Sequence, residues 1–134
     1  MASCREIALE AVRQNGNSLM FGSSFKADRE IVLEAVRQHG GSLQYAAEEL
    51  KADRQIVLEA VRQGGNALAY ASKHLRADRD IVLEAVRENG LAIRYAECLE
   101  WDREIALEAV RQNSRALQHV HEDLRAEITA AAGF

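Results

Sequence analysis

At 134 residues, with 48% apolar content and no proline, the chain is long enough to bury a core of its own and favours helix from end to end. Its 21 acids against 17 bases, only three of them lysines, give a net charge of −4 and exclude a broad positive field for nucleic acid or anionic membrane. Two cysteines, Cys4 and Cys98, make neither a disulfide framework nor a Cys-x-x-Cys site, so free buried thiols in a reducing compartment are expected.

No apolar run approaches the ~20 residues of a membrane span, and the opening residues 1–10 lack the apolar core of a signal peptide. A soluble, intracellular and cytoplasmic chain is the expectation.

One stretch, Asp28 to Gln38, returns almost unchanged at Asp53, Asp78 and Asp102 and in worn form at Cys4. Aligned on isoleucine, Ile7, Ile31, Ile56, Ile81 and Ile105 are spaced by 24, 25, 25 and 24 residues, which defines five units. They run over about 3–26, 27–51, 52–76, 77–100 and 101–125 of a single domain 1–134, with a C-terminal cap at 126–134. Units two and three agree at 16 of 25 positions, far beyond shared helical composition.

Each unit opens on an aspartate placed to cap a helix, and unit one instead offers Ser3 with Glu6 at capping-box spacing. The helix is expected to close at Gly16, Gly40, Gly65 or Gly90 in the left-handed conformation, with Asn113 taking that place in unit five. A second, shorter helix then follows, Ser42 to Leu50 in unit two, with Leu43, Ala46, Ala47 and Leu50 on one stripe. Units one and four are a residue shorter there, so their second helix is expected to be irregular or partly 3₁₀.

On the first helix Ile31, Val32, Leu33, Ala35 and Val36 span roughly 200° at about 100° per residue, wider than a surface stripe. Such a helix needs neighbours on two sides, and a lone unit cannot be stable. The fold expected is therefore all-α, an array of five stacked helical hairpins resembling an α-solenoid. Ala8 and Ala106 replace the inner units' Val32, Val57 and Val82 and look like trimmed ends. The tail from Arg125 to Ala132 resembles the start of a sixth first-helix, and it and Trp101 are expected to seal the C-terminal end.

The pattern carried by Leu43, Tyr45, Ala46, Leu50, Asp53, Arg54, Val57, Leu58, Ala60, Val61 and Gly65 resembles a family of short helical repeats catalogued as a domain of unknown function. The resemblance covers nearly the whole chain. It implies stacked helices and no activity, with no catalytic residues to carry over; unit five departs from it at Ser114 and His119.

Five glutamates (Glu10, Glu34, Glu59, Glu84, Glu108) and five arginines (Arg13, Arg37, Arg62, Arg87, Arg111) recur three residues apart. Ion pairing within each helix is expected, and an arginine ladder reading phosphates or an acidic peptide is the alternative. His119 and His121 point about 200° apart on a helix and cannot share a metal as helical neighbours would. No Ser/His/Asp or Cys/His set recurs on one face, so no enzyme, metal or cofactor is expected.

Phe21, Tyr45, Tyr70, Tyr95 and His119 form an aromatic column lying off the hairpin's own apolar stripe. It either fills the seam between units or presents rings to a peptide. A non-catalytic scaffold for a protein or peptide partner is the expected function. A structural subunit bracing an assembly comes second and a nucleic-acid reader third.

Overall fold

The computed structural model describes residues 3–16, 25–99 and 101–133, and Phe21 lies outside them. Among these residues there is helix and no strand. Each unit contributes one main helix: α1 (Cys4–Gln14), α2 (Arg29–Gln38), α4 (Arg54–Gln63), α6 (Arg79–Glu88) and α7 (Arg103–Gln112). The caps are as the sequence implies. Ser3 and Glu6 form a reciprocal capping box, and the aspartates accept backbone N–H groups of the first turn, at 3.0 Å from Gln55 to Asp53 and 3.0 Å from Ile105 to Asp102.

After the main helices of units two to five one extended residue leads into a six-residue 3₁₀ helix: Gly40–Tyr45, Gly65–Tyr70, Gly90–Tyr95 and Ser114–His119. The single second helix expected over Ser42–Leu50 is therefore two pieces. Ala46 and Ala47 are extended, and a short α3 (Glu48–Lys51) follows, as α5 (Lys73–Arg76) does in unit three. The break has a physical reason. It frees the Ala47 N–H to cross to the Lys26 carbonyl of the preceding unit at 2.8 Å, and Ser72 and Glu97 repeat the bond to Lys51 and Arg76 at 3.0 and 2.9 Å. The 3₁₀ geometry is thus common to units two to five; in the shortened unit four no short helix follows it up to Leu99, as the missing residue implies, and the corresponding stretch of unit one lies outside the described residues.

Successive main helices pack side by side, as do successive 3₁₀ helices. Each 3₁₀ helix of units two to four also packs on both its own main helix and the next one. Ile31, Val32, Leu33, Ala35 and Val36 are all buried, as a helix covered on two sides requires. Ile7 is 60% exposed while its counterparts Ile31, Ile56, Ile81 and Ile105 are fully buried, because no described helix lies against that side of α1.

The glycines do not adopt the left-handed conformation expected of them. Gly133 is the only glycine with positive φ among the described residues, and the helices close on extended residues such as His39, Gly64 and Asn113. Gly40, Gly65 and Gly90 are required for closeness instead. A Cβ on Gly65 would run into the Ala85 carbonyl oxygen of the next main helix and come within 3.1 Å of the Asn89 Cβ; Gly40 and Gly90 stand the same way against Ala60 and Ala109. In unit five Ser114 is exposed, and the turn keeps its shape, with Asn113 at φ −154 and ψ 112.

The tail forms α8 (Glu122–Ala132), one helix that runs through the boundary expected near residue 126 and packs on α7. Ala106 is fully buried, so it is not a trimmed outer surface. Ile128 is buried in the place of Ile105, while Arg125 and Ala126 stand where Asp102 and Arg103 do. Both cysteines are exposed rather than buried.

A ladder of charge joins the units. The first arginine of each main helix bonds the capping aspartate of the next: Arg5 to Asp28 at 2.7 Å, Arg29 to Asp53 at 3.0 Å, Arg54 to Asp78 at 3.2 Å and Arg79 to Asp102 at 2.7 Å. A second acceptor takes an Nη2 N–H of each arginine, Glu30 for Arg5, Gln55 for Arg29, Asp80 for Arg54 and Glu104 for Arg79. Arg103 finds Glu127 of α8 at 2.8 Å. The Arg5 guanidinium and the Ile31 N–H hold Asp28 below the usual carboxylate range. At Asp53, Asp78 and Asp102 partial burial works the other way, and the hydrogen bonds from arginine and helix N–H groups outweigh it.

Two outcomes follow. Gly65→Ala should destabilise by at least about 2 kcal/mol through overpacking against backbone, whereas Gly64→Ala, whose Cβ meets nothing within 4 Å, should be neutral or gain about 0.5 kcal/mol. Urea midpoints of the two variants check this pair.

The depressed aspartates contribute stability that is complete above the unfolded aspartate pKa of about 3.9 and is lost as pH falls through their folded values. Asp53→Asn with Asp78→Asn keeps cap acceptors that cannot ionise. The variant should melt a few degrees below the parent at pH 7, and the gap in melting temperature should narrow progressively below pH 4. A gap independent of pH would refute the charged ladder.

Candidate functional site

The 3₁₀ helices decide which side chains face outward. With three residues per turn, positions two and five of each helix share a face, and positions three and four turn inward. Ser42 and Leu43, Ala67 and Leu68, and Ala92 and Ile93 are accordingly buried. The outward pairs are Gly41 and Gln44, Asn66 and Ala69, Leu91 and Arg94, and Arg115 and Gln118, none of them buried. The aromatic column ends each helix at position six.

Tyr70 is 38% exposed, while Tyr45 and Tyr95 are half-buried and packed against the core; His119 is half-buried. No tyrosine hydroxyl has a hydrogen-bond partner among the described residues. The rings therefore neither vanish into the seam nor stand fully in solvent. Burial, and secondarily the Arg94 charge, lowers the pKa of His119. Arg94 itself lies over the Tyr95 ring, 4.7 Å from its centroid.

A cleft of about 290 Å³ opens between the 3₁₀ helices of units two and three, lined by His39, Gly41, Gln44, Gln63, Gly64, Asn66 and Tyr70 among others. Its openness follows from Gly64. In units four and five an asparagine stands at that place and folds back onto the next helix, Asn89 accepting from the Leu91 N–H and Asn113 from the Arg115 N–H, each at 3.0 Å. Gly64 has no side chain to fold.

The glutamate and arginine columns differ from their expected internal pairing. Arg13 and Arg37 do meet Glu10 and Glu34 of their own helices at 3.9 and 3.5 Å. Yet Arg37, Arg62 and Arg87 also reach Glu59, Glu84 and Glu108 of the next unit, at 4.0, 3.8 and 4.0 Å. The column is a set of joints between units, and Arg111, for which Ala131 stands where the next glutamate would recur, has no carboxylate within ion-pair distance among the described residues. Sequence reading missed Arg94 and Arg115. The signal for them was variation at outward positions between otherwise near-identical units.

At the C-terminal end Trp101 is 50% exposed and stacks on His121, centroids 3.7 Å apart and planes 24° from parallel. The His121 Nδ1 accepts the Asp123 N–H as a helix cap. Among the described residues no three His, Cys, Asp or Glu side chains are grouped to hold a metal ion, and no helix is long and apolar enough to cross a membrane.

The exposure difference has a measurable consequence. Tyr70→Ala should cost less than about 1 kcal/mol, and Leu68→Ala, fully buried on the same 3₁₀ helix, about 2 to 5 kcal/mol. Denaturation curves for the two variants separate a surface ring from a core one.

Neither a curated protein nor a solved structure matches the chain. The profile of one family does, over residues 4–51, 28–76, 53–97 and 78–125, four overlapping matches whose starts step by one unit and which each span two units. Together they run from residue 4 to residue 125, so the chain belongs to the family described as Domain of unknown function (DUF4116), as a tandem array of its helical repeats.

Proposed function

We propose that this array is a non-catalytic interaction module that holds a protein or peptide along the outward face of its 3₁₀ layer. The observation that carries the reading is the row of Tyr45, Tyr70 and Tyr95, at least partly exposed on adjoining helices and flanked by an open cleft. Rings that are half packed and half accessible offer large contact area at little entropic cost, the property that makes tyrosine effective at interfaces. The opposite layer favours no ligand of its own, because its arginines and acids pair with one another from unit to unit. A net charge of −4 also disfavours a long polyanion. Two exposed free thiols fit a reducing, cytoplasmic setting.

The test is capture from a lysate of the source organism by the immobilised chain. The parent should retain a discrete protein, and Tyr70→Ala with Tyr95→Ala should lose it while circular dichroism stays unchanged. Equal retention by both would remove the aromatic row as the site.

A further inference from the structure

Resting on the peptide-binding reading above, we propose that the partner is an acidic peptide whose carboxylates are held by Arg94 and Arg115 at the unit four to unit five end of the outward 3₁₀ face. The inference starts from where the arginines go. Arg5, Arg29, Arg54, Arg79 and Arg103 are spent in the ladder of capping aspartates and their neighbours. Arg13, Arg37, Arg62 and Arg87 meet glutamates, and Arg76 meets Glu97 at 2.9 Å. Arg125 is turned back onto the carbonyls of Val120 and Gln118.

Among the described residues that leaves Arg94, Arg111 and Arg115 with neither a carboxylate nor a backbone carbonyl. Arg111 closes the main-helix series. Arg94 and Arg115 occupy outward positions five and two of adjoining 3₁₀ helices that pack together. Both are exposed. Arg94 is steadied by lying over the Tyr95 ring, which leaves the edge of its guanidinium free to grip a carboxylate with two parallel hydrogen bonds. His119 adds a further donor at the end of the same row.

The other end of this face is uncharged: Gln44, Asn66 and Tyr70 around the open cleft. A ligand running along it therefore meets amides and a ring first and two cations last. Main helices pack about 8–10 Å apart and extended chain rises about 3.3 Å per residue, so each unit spans roughly three peptide residues. The fitting partner is an extended segment of about six to nine residues with an uncharged first part and an acidic end. Two isolated cations in a chain of net charge −4 match a pair of carboxylates better than a phosphate backbone, which needs many contacts in sequence.

The experiment presents the full chain with a displayed random twelve-residue peptide library and, in parallel, with a fluorescein-labelled single-stranded oligothymidylate. Recovered peptides should carry Asp or Glu, and their synthetic forms should bind at least tenfold more weakly when those residues become Asn or Gln. Arg94→Gln with Arg115→Gln should cause the same tenfold loss with an unchanged melting temperature. Recovered peptides without acidic residues, indifferent to the arginine variant but lost with Tyr70→Ala, would overturn the acidic partner and leave the aromatic row standing. Recovery of no peptide would overturn both readings. An oligothymidylate bound more tightly than any peptide, and released by the arginine variant, would replace the peptide with nucleic acid.

Discussion

A single carboxylate sits at each joint of this array and works in two directions. At Asp53 one oxygen accepts the N–H groups of Gln55 and Ile56, starting α4, while the other accepts Nε of Arg29 from the unit before. The start of a helix and the position of its neighbour are thereby fixed by the same atoms. Exposed ion pairs contribute little energy individually, about 0 to 1 kcal/mol, so the gain here is register rather than stability. The energy comes from the fully buried Ile56, Val57, Ala60 and Val61 and their counterparts, which have cover only when a unit stands on each side.

That division explains what could be read from the sequence. Period, caps and the two-sided burial of the main helix were legible because each is local or repeats with helical spacing. The partner of Arg29 was not, since the Asp-Arg pair is adjacent in sequence and its bond runs to an aspartate 24 residues on. Glycine at the end of the helix was legible as a requirement but not as a mechanism. Positive φ and close approach ask for the same residue, and only the nearness of Ala85 to Gly65 tells them apart. The 3₁₀ segment was read only into the shortened units one and four for a related reason, because an α-helix and a 3₁₀ helix place Leu43 and Ala46 on one side almost equally well.

The candidate site was legible in part. The aromatic column stood out through its repetition, but whether Tyr70 was accessible depended on how the 3₁₀ helices lie against one another. The cleft beside it arises from an absence, since Gly64 lacks the side chain that Asn89 and Asn113 fold over the following helix. Arg94 and Arg115 sit at positions where the units differ, and repetition cannot point to residues that do not repeat. Shared positions therefore build the stack, and variable outward positions give each unit its own surface.

The tail helix α8 bears on how such a stack grows. In the terms of polymer chemistry each unit is a monomer with an acceptor, its capping aspartate, and a donor, the arginine that follows, so addition of one unit regenerates the end that adds the next. α8 takes up the last donor, Arg103, through Glu127. It carries Arg125 and Ala126 where aspartate and arginine would regenerate the end, and Ser114 before it lacks the glycine that allows close stacking. That worn copy regenerates no end of the same kind, so among the described residues the aspartate–arginine joint is not repeated past Arg103. A duplicated inner unit inserted anywhere ahead of it would propagate the same joints and lengthen the outward face by about three peptide residues.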